Sequence, residues 1–214
     1  MVYHLSASNP YDEAVYTSVF DDPRKKPMSE MAYLNPDEVS WKAKRPNKAV
    51  LLQGYPVDPA SAPKKLLWES KRRAVPDVVA FQQVLAVCAR FKDLVERFEP
   101  GVHRFIPVAV YPGDKNREPV ERYWLNICRR LDSLDREHTT YKWELDYTGQ
   151  DGFWNSVDVS DGIAVFSRER IENNHLWVDP HLLDVNNSFC STAFGEIALA
   201  ERFSGLNVTP RSEI

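Results

Sequence analysis

Two strand-like runs joined by a turn-rich segment constrain the fold of this chain more than any other part of its 214 residues. Residues 102–111 and 121–128 are both rich in β-branched and aromatic side chains. Residues 112–119 between them contain two prolines, a glycine, an aspartate and an asparagine. This pattern predicts an antiparallel hairpin. Because an isolated hairpin is only marginally stable in water, other elements must cover one of its faces, and we expect the core of the molecule here.

The segment before the hairpin carries a helical pattern. Its apolar residues recur at helical spacing and are Leu85, Cys88, Phe91, Val95 and Phe98. The spacing predicts a helix over Gln82–Phe98 that stops before a Pro-Gly pair. Asp77 is a favoured N-cap, so the sequence leaves open whether 77–98 is one helix or a short turn and a longer helix. We expect the helix to pack on the hairpin through Phe91 and Val95.

The remaining elements predict an α+β fold. Short strands are expected at Val2–Leu5, Ala49–Leu52 and Leu206–Val208. A last helix is expected over 189–203, with an inward stripe of Phe189, Ala193, Ile197 and Ala200. The expected architecture is an antiparallel sheet built around the 102–128 hairpin and packed against helices near 82–98 and 189–203.

The chain is expected to form one domain with three parts. Residues 1–63 are an irregular N-terminal arm with short strands, residues 64–208 are the α+β core, and residues 209–214 are a loose tail. Because the arm is proline-rich and lacks periodicity, we expect isolated apolar anchors within it, namely Tyr16, Phe20, Tyr33 and Trp41. The proline-rich connector Gly54–Pro63 is the candidate boundary between two lobes.

Composition narrows the classes of function. A net charge of −4 argues against a dedicated nucleic-acid binder, because such proteins are normally basic. No apolar run reaches membrane-spanning length and no signal-peptide pattern is present, so we expect a cytoplasmic protein without a membrane partner. The cysteines lack CxxC spacing and are expected to be reduced thiols, at Cys88, Cys128 and Cys190.

One basic patch stands out against this acidic composition. It consists of Lys64, Lys65, Lys71, Arg72 and Arg73. A nucleic-acid adaptor would use such residues to contact phosphates. We favour a solvated face, from which Leu66, Leu67 and Trp68 turn inward, because the chain has no glycine-rich phosphate loop.

Several short motifs occur in an order that resembles a known family. They are the Pro-Asp-hydrophobic element in Val75–Val79, the helix motif Ala89–Glu96, the aromatic-x-Pro-Val strand Phe105–Val108, the strand Tyr123–Ile127, the aspartate motif Leu131–Asp135, the strand Ile163–Phe166 and the closing element Phe203–Val208. Together they resemble immunity-protein family eleven of bacterial polymorphic toxin systems, formerly a domain of unknown function.

The resemblance implies an α+β fold and a protein that binds and neutralises a cognate toxin domain. It implies no catalytic residues, and we expect no cofactor and no bound metal. Whether such a protein plugs the active site of the toxin or binds beside it stays open at this point.

The segment between Lys142 and Arg168 is the most suggestive candidate surface. It contains no lysine or arginine, and aromatic residues alternate with its five carboxylates. Aromatic anchors ringed by carboxylates suit a protein interface with a basic partner. The alternative is a loop followed by a strand pair, Val157–Val159 and Gly162–Phe166, whose aromatics are core. Our candidate toxin-binding residues are Trp154, which we expect to be exposed in a turn, and Asp146, Tyr147, Asp151, Asp158 and Asp161.

Two polar clusters raise the question of an enzyme. His175, Asp179 and His181 could supply metal ligands, and a metal-dependent hydrolase centred on residues 175–181 is the alternative function. Their spacing matches no zinc motif, so a loop or capping role is favoured. A second cluster, Asp132, Asp135, Glu137 and His138, could serve acid–base chemistry, but a solvated helix end is favoured. No nucleophile elbow, HExxH or catalytic cysteine motif is present, so we expect no enzyme.

Overall fold

The computed structural model describes residues 1–7, 16–19, 31–39, 53–69, 74–81, 84–113, 116–145, 152–155, 162–182 and 188–214. This part of the chain forms thirteen strands and three short α-helices. In chain order they are β1 (Val2–Ala7), β2 (Tyr16–Val19), β3 (Lys65–Glu69), β4 (Val78–Phe81), β5 (Val84–Val87), α1 (Ala89–Phe98), β6 (Arg104–Pro112), β7 (Val120–Asn126), β8 (Lys142–Leu145), β9 (Gly152–Asn155), β10 (Val165–Phe166), α2 (Arg168–Ile171), β11 (Leu176–Val178), β12 (Ser188–Ser191), α3 (Thr192–Ala200) and β13 (Leu206–Glu213).

The described strands form two larger sheets and one two-stranded ribbon. The first sheet has the order β10-β13-β1-β12-β11, and the second has the order β2-β3-β6-β7-β5-β4. The ribbon pairs β8 with β9. The prediction of an α+β fold is confirmed, with more sheet than helix.

The predicted hairpin is the centre of the six-stranded sheet. β6 and β7 pair antiparallel in a register that runs from Arg104↔Asn126 to Val110↔Val120. β3 extends this pair in parallel at β6, and β5 extends it antiparallel at β7. Both strands of the hairpin therefore lie inside the sheet, as their apolar composition indicates.

The helix predicted over Gln82–Phe98 is shorter than expected. α1 begins at Ala89, and the residues before it form the hairpin of β4 and β5, with Val78 opposite Val87. All four residues of β5 are buried. A strand buried on both faces is a continuous apolar run, which periodicity alone does not distinguish from a buried helix. The alternative of a single helix over 77–98 is also wrong.

The last predicted helix is also shorter, and the tail is ordered. α3 begins after Ser191, whose Oγ accepts a hydrogen bond from Phe194 N at 3.3 Å. Phe189 belongs to β12 and not to the helix. The buried side chains of α3 include Phe194 and Ala198, whereas Ala193 and Ala200 of the predicted inward stripe are exposed. The tail that we expected to be loose from 209 to 214 continues β13 as far as Glu213, because it pairs with β1 and β10.

A central core contains residues of both larger sheets and of α1 and α3. Phe91 and Val95 of α1 are fully buried there with Leu125 and Ile127 of the hairpin segment. The Phe91 ring also meets the rings of Phe194 and Phe203, at centroid distances of 6.0 and 5.2 Å. The prediction that Phe91 and Val95 pack against the hairpin is confirmed.

Two further apolar clusters lie beside the central core. One joins alternate residues of the hairpin to the N-terminal region, through Ile106, Val108, Val110, Trp124, Met31 and Val57. The other, which we call the ribbon cluster, contains Val2, Leu134, Trp154, Phe166, Ile171, Trp177, Leu182 and Phe189. The five-stranded sheet thus supports the β8–β9 ribbon through buried aromatic side chains.

Several residues named in the predictions for the N-terminal half lie outside the described structure. Tyr33 is half-buried and bridges to Val57, whereas Phe20, Trp41, Ala49–Leu52, Lys71, Arg72 and Arg73 lie outside the described residues. In the basic patch, Leu66 and Trp68 are buried while Lys64 and Lys65 are exposed. Strand alternation in β3 therefore explains the mixture of cations and apolar residues there.

Polar residues of the family motifs link loops that are distant in sequence. Asp77 accepts hydrogen bonds from Ser204 N at 3.0 Å and from Ser204 Oγ at 2.9 Å, and its own N–H donates to Ser204 Oγ at 2.9 Å. Gly205 has φ +81°, and a Cβ there would overlap the carbonyl of Val78. Asn126 accepts from Val57 N and donates to the carbonyl of Tyr55. These motif residues build the scaffold.

Candidate functional site

The acidic, aromatic segment is built on the β8–β9 ribbon. The register runs from Lys142↔Asn155 to Leu145↔Gly152, so the ribbon forms the base of the connection 146–151. Five of the candidate toxin-binding residues, namely Asp146, Tyr147, Asp151, Asp158 and Asp161, lie outside the described residues. The strand considered for 157–159 lies there too, and only Val165–Phe166 of the strand considered for 162–166 forms, as β10.

Trp154 does not occupy the exposed turn that we expected. It lies in β9, is 3% exposed and belongs to the ribbon cluster with Trp177 and Phe189. The prediction of exposure is wrong because strand alternation points Trp154 inward. The residue therefore anchors the ribbon to the five-stranded sheet.

The half-buried Trp143 completes this anchor. Its ring lies 5.0 Å from the Trp154 ring and 5.5 Å from the His181 ring, and the Arg136 guanidinium carbon lies 3.8 Å above it. A Cβ at Gly152 would overlap the Trp143 indole, so only glycine allows this packing. The interactions on this face hold the ribbon in one orientation, since cation–π and edge-to-face contacts are geometrically specific.

The opposite face of the ribbon is mostly polar, although Phe153 lies there opposite Glu144. Glu144 pairs with Lys142 Nζ at 2.8 Å and accepts from Asn155 Nδ2 at 3.3 Å. These hydrogen bonds hold the pKa of Glu144 below its usual range, so its carboxylate is charged at neutral pH. Leu145 at the end of β8 is 62% exposed and lies, by strand alternation, on the same face as Trp143. The ribbon therefore presents a carboxylate on one face and an exposed apolar side chain at the end of the other.

The segment 175–181 does not assemble a metal site from its described residues. His175 Nδ1 lies 2.8 Å from Ser191 Oγ, whereas His181 Nδ1 donates to the carbonyl of Gly152 at 2.9 Å. Asp179 is buried and accepts from the N–H and Oγ of Ser133, both at 2.8 Å, while burial raises its pKa. Within the described ranges no three His, Cys, Asp or Glu residues form a metal-binding group.

The cluster from Asp132 to His138 forms ion pairs and a turn. Asp132 accepts from Arg136 and from Arg170, each at 2.8 Å. Asp135 accepts from the backbone N–H groups of Glu137 and His138 and lies 2.8 Å from the His138 ring nitrogen. His138 is exposed. These contacts match a solvated turn, although the segment belongs to no helix.

A buried polar cluster around Glu99 has no counterpart in the sequence-based predictions. Glu99 accepts from His103 Nε2 and from His175 N at 2.8 Å, and its carboxylate lies 3.2 Å from Arg129 Nε. His103 Nδ1 accepts from Cys128 N at 3.2 Å, so the ring donates to Glu99 through Nε2. The cluster joins the end of α1 to β6, β7 and β11. Its one local signal is the four-residue spacing of Glu99 and His103.

The charge state of Glu99 predicts a pH dependence. Burial alone would raise its pKa, but hydrogen bonds from His103 and His175 and the charge of Arg129 hold the pKa below 4.5. A carboxyl with a lowered native pKa stabilises the fold above its unfolded pKa and loses this effect as the pH falls. We expect Glu99→Gln to lower the free energy of unfolding at neutral pH by about 1–3 kcal/mol, since buried donors lose an acceptor.

Urea denaturation between pH 3 and 7 tests this prediction. The difference between wild type and Glu99→Gln should shrink as the pH falls below about 4.5. Glu169→Gln, at an exposed position of α2, is the control and should differ little from wild type at any pH. A difference that stays constant with pH would contradict the ionised state of Glu99.

The three thiols are free, and burial raises the pKa of each, to about 11 for Cys128. Thiols with raised pKa values are poor nucleophiles, because the thiolate is the reactive form. None of the described helices is long and apolar enough to cross a membrane.

These features define a protein of mixed sheets. Its buried ionisable groups form hydrogen bonds within the fold, and its ribbon carries charged side chains on the surface. The sequence matches the Immunity protein family (Imm11) over residues 17–212, and the chain belongs to this family. Membership implies a toxin protein as the partner. A comparison with curated proteins finds no match. The suspected family resemblance is thus confirmed, over a longer part of the chain than 75–208.

Proposed function

We propose that this chain is the immunity protein of a bacterial polymorphic toxin system and neutralises its cognate toxin by stoichiometric binding in the cytoplasm. Membership in the immunity family over residues 17–212 carries the proposal. The distribution of polar groups supports it, because Asp77, Glu99 and Asp179 are engaged in hydrogen bonds within the scaffold. Such a protein protects its own cell during competition between bacteria.

We further propose that the toxin binds at the acidic segment around the β8–β9 ribbon. The contact residues are Asp146, Tyr147, Asp151, Asp158 and Asp161, together with the ribbon residues Glu144 and Leu145. Trp154 contributes indirectly, because it is buried and fixes the orientation of the ribbon. Negative charge concentrated in this segment suits a toxin domain with a basic surface.

The direct test uses the secreted protein encoded next to the gene for this chain. Its C-terminal domain should be toxic when expressed alone and harmless when this chain is co-expressed. Purified components should form a 1:1 complex, and inhibition should be complete at one equivalent. Toxin inactivation at a small fraction of one equivalent would indicate an enzyme and contradict stoichiometric binding. Failure of the wild-type chain to bind this domain would contradict the pairing.

Charge removal in the acidic segment should slow association. Asp158→Asn/Asp161→Asn is expected to lower the association rate constant about 3–10-fold at low salt, because complementary charge steers the encounter. The effect should decrease at high salt, where screening shortens the range of the field. Stopped-flow fluorescence measures the rate.

The control for this pair is Asp93→Asn/Glu196→Gln, which removes the same charge from exposed positions of α1 and α3. The control should associate at nearly the wild-type rate. Equal slowing by both pairs would show that net charge alone matters and would contradict a local docking surface.

A further inference from the structure

We infer that the outer edge of β8 is a docking edge for a β-strand of the toxin, one that carries basic side chains. This inference rests on the proposed function and names the mode of contact. Within the described residues, β8 pairs with β9 alone, in a ribbon separate from the two larger sheets. An edge of this kind presents backbone donors and acceptors, and a partner strand can hydrogen-bond to them and so extend the ribbon.

Two hydrogen bonds establish which backbone groups lie at this edge. Trp154 N donates to the carbonyl of His181 at 2.7 Å, and the carbonyl of Gly152 accepts from His181 Nδ1 at 2.9 Å. Both groups of β9 therefore point away from β8. In an antiparallel ladder, the residues opposite them are in non-hydrogen-bonded pairs. Trp143 and Leu145 consequently direct their N–H and C=O groups to the outer edge.

The edge is held in place before any partner arrives. The Trp143 ring packs against Arg136 and Trp154, and Trp154 is buried on the five-stranded sheet. A strand with fixed backbone direction loses little conformational entropy when another strand pairs with it. The packing of the inner face thus prepares the outer edge for binding.

Side chains at the edge favour a basic partner. Leu145 is the most exposed of the large apolar side chains in the described structure, and it would pack against the added strand. Residues 143–167 contain Glu144 and the carboxylates that follow it but no lysine or arginine. A second copy of this chain would bring a second Glu144 to the edge, so like charges disfavour self-pairing. A toxin strand rich in Lys or Arg fits both features.

Amide hydrogen exchange tests the edge directly in the wild-type chain. The probe is the C-terminal toxin domain used above, added in saturating amount to the full chain. We expect exchange at Trp143 and Leu145 to slow about tenfold or more, since each N–H gains an acceptor. Unchanged exchange at both amides in a complex that forms normally would overturn this inference and leave the proposed function intact.

A proline at the edge provides a second test. Leu145→Pro removes an outward N–H without removing a bond of the β8–β9 ladder, a position where strands tolerate proline. It should weaken toxin binding about tenfold or more. Leu145→Ala is the matched control, because it shortens the side chain but keeps the N–H, and it should weaken binding less. Binding of Leu145→Pro at the wild-type affinity would overturn the inference.

Two other outcomes are also decisive. If Leu145→Pro disturbs the ribbon, seen as altered tryptophan fluorescence and melting, the exchange measurement on the wild-type chain decides alone. If the purified chain forms a dimer that Leu145→Pro abolishes, the edge is occupied by a second copy, which overturns the assignment to the toxin. Failure of the wild-type chain to bind the toxin domain would contradict the proposed function and not only the docking edge.

Discussion

Replacing Phe91 with alanine is expected to lower the free energy of unfolding by about 3–5 kcal/mol, the usual cost of removing a fully buried phenyl ring. Phe91 is 0% exposed and lies where α1, the hairpin and α3 meet. Its ring contacts those of Phe194 in α3 and Phe203 just after it, so the cavity would remove packing contacts from both rings. Because these elements are already packed, they cannot collapse fully into the space.

Urea denaturation of Phe91→Ala, followed by far-UV circular dichroism, measures this effect. Leu199→Ala is the control, since Leu199 is a large apolar residue on the exposed side of α3. The control should change stability by about 0.5 kcal/mol or less. Denaturation of Phe91→Ala at the same urea concentration as wild type would remove Phe91 from the core.

Replacing Trp154 with alanine is expected to destabilise the protein by a similar amount, about 3–5 kcal/mol. This expectation differs from the one based on sequence, in which Trp154 is an exposed toxin-binding residue. Trp154 is buried in the ribbon cluster, and its ring supports Trp143. Truncation would therefore open a cavity and release the ribbon from the five-stranded sheet.

Thermal melting and toxin protection should be measured together for this position. Trp154→Phe keeps most of the buried apolar volume, so it should melt closer to wild type and retain protection, whereas Trp154→Ala should lose both. Leu145→Ala provides the contrasting control, because Leu145 is exposed and its loss should leave melting unchanged. If Trp154→Ala melts like wild type, the burial of this residue is not important for stability.

Local patterns were sufficient for the hairpin and for the fold class. β-branched runs around a proline- and glycine-containing connection favour a hairpin, because the turn chemistry and strand preference act over a few residues. The family motifs were also visible, and they contain residues such as Asp77 and Asn126 that hold loops in place. Their partners, Ser204 and Val57, could not be named from spacing.

The boundaries of helices and strands depended on tertiary structure. Residues 84–87 and 189–190 are apolar in a pattern that either a helix or a strand satisfies. They became strands because neighbouring strands, β7 beside β5 and β1 beside β12, provide backbone hydrogen bonds there. Periodicity records which side chains are apolar, but it does not record which partner strand is available.

At the candidate site, too, local sequence determined some features and tertiary contacts determined others. The sequence by itself determined the charge of the acidic segment, its aromatic content and its family. Only the tertiary structure decided that Trp154 faces inward, that Trp143 turns its N–H away from β9, and that Glu99 lies beside a histidine 76 residues later in the chain. These outcomes are set by contacts between distant segments, and the free energy of burial depends on the whole packed environment of a residue.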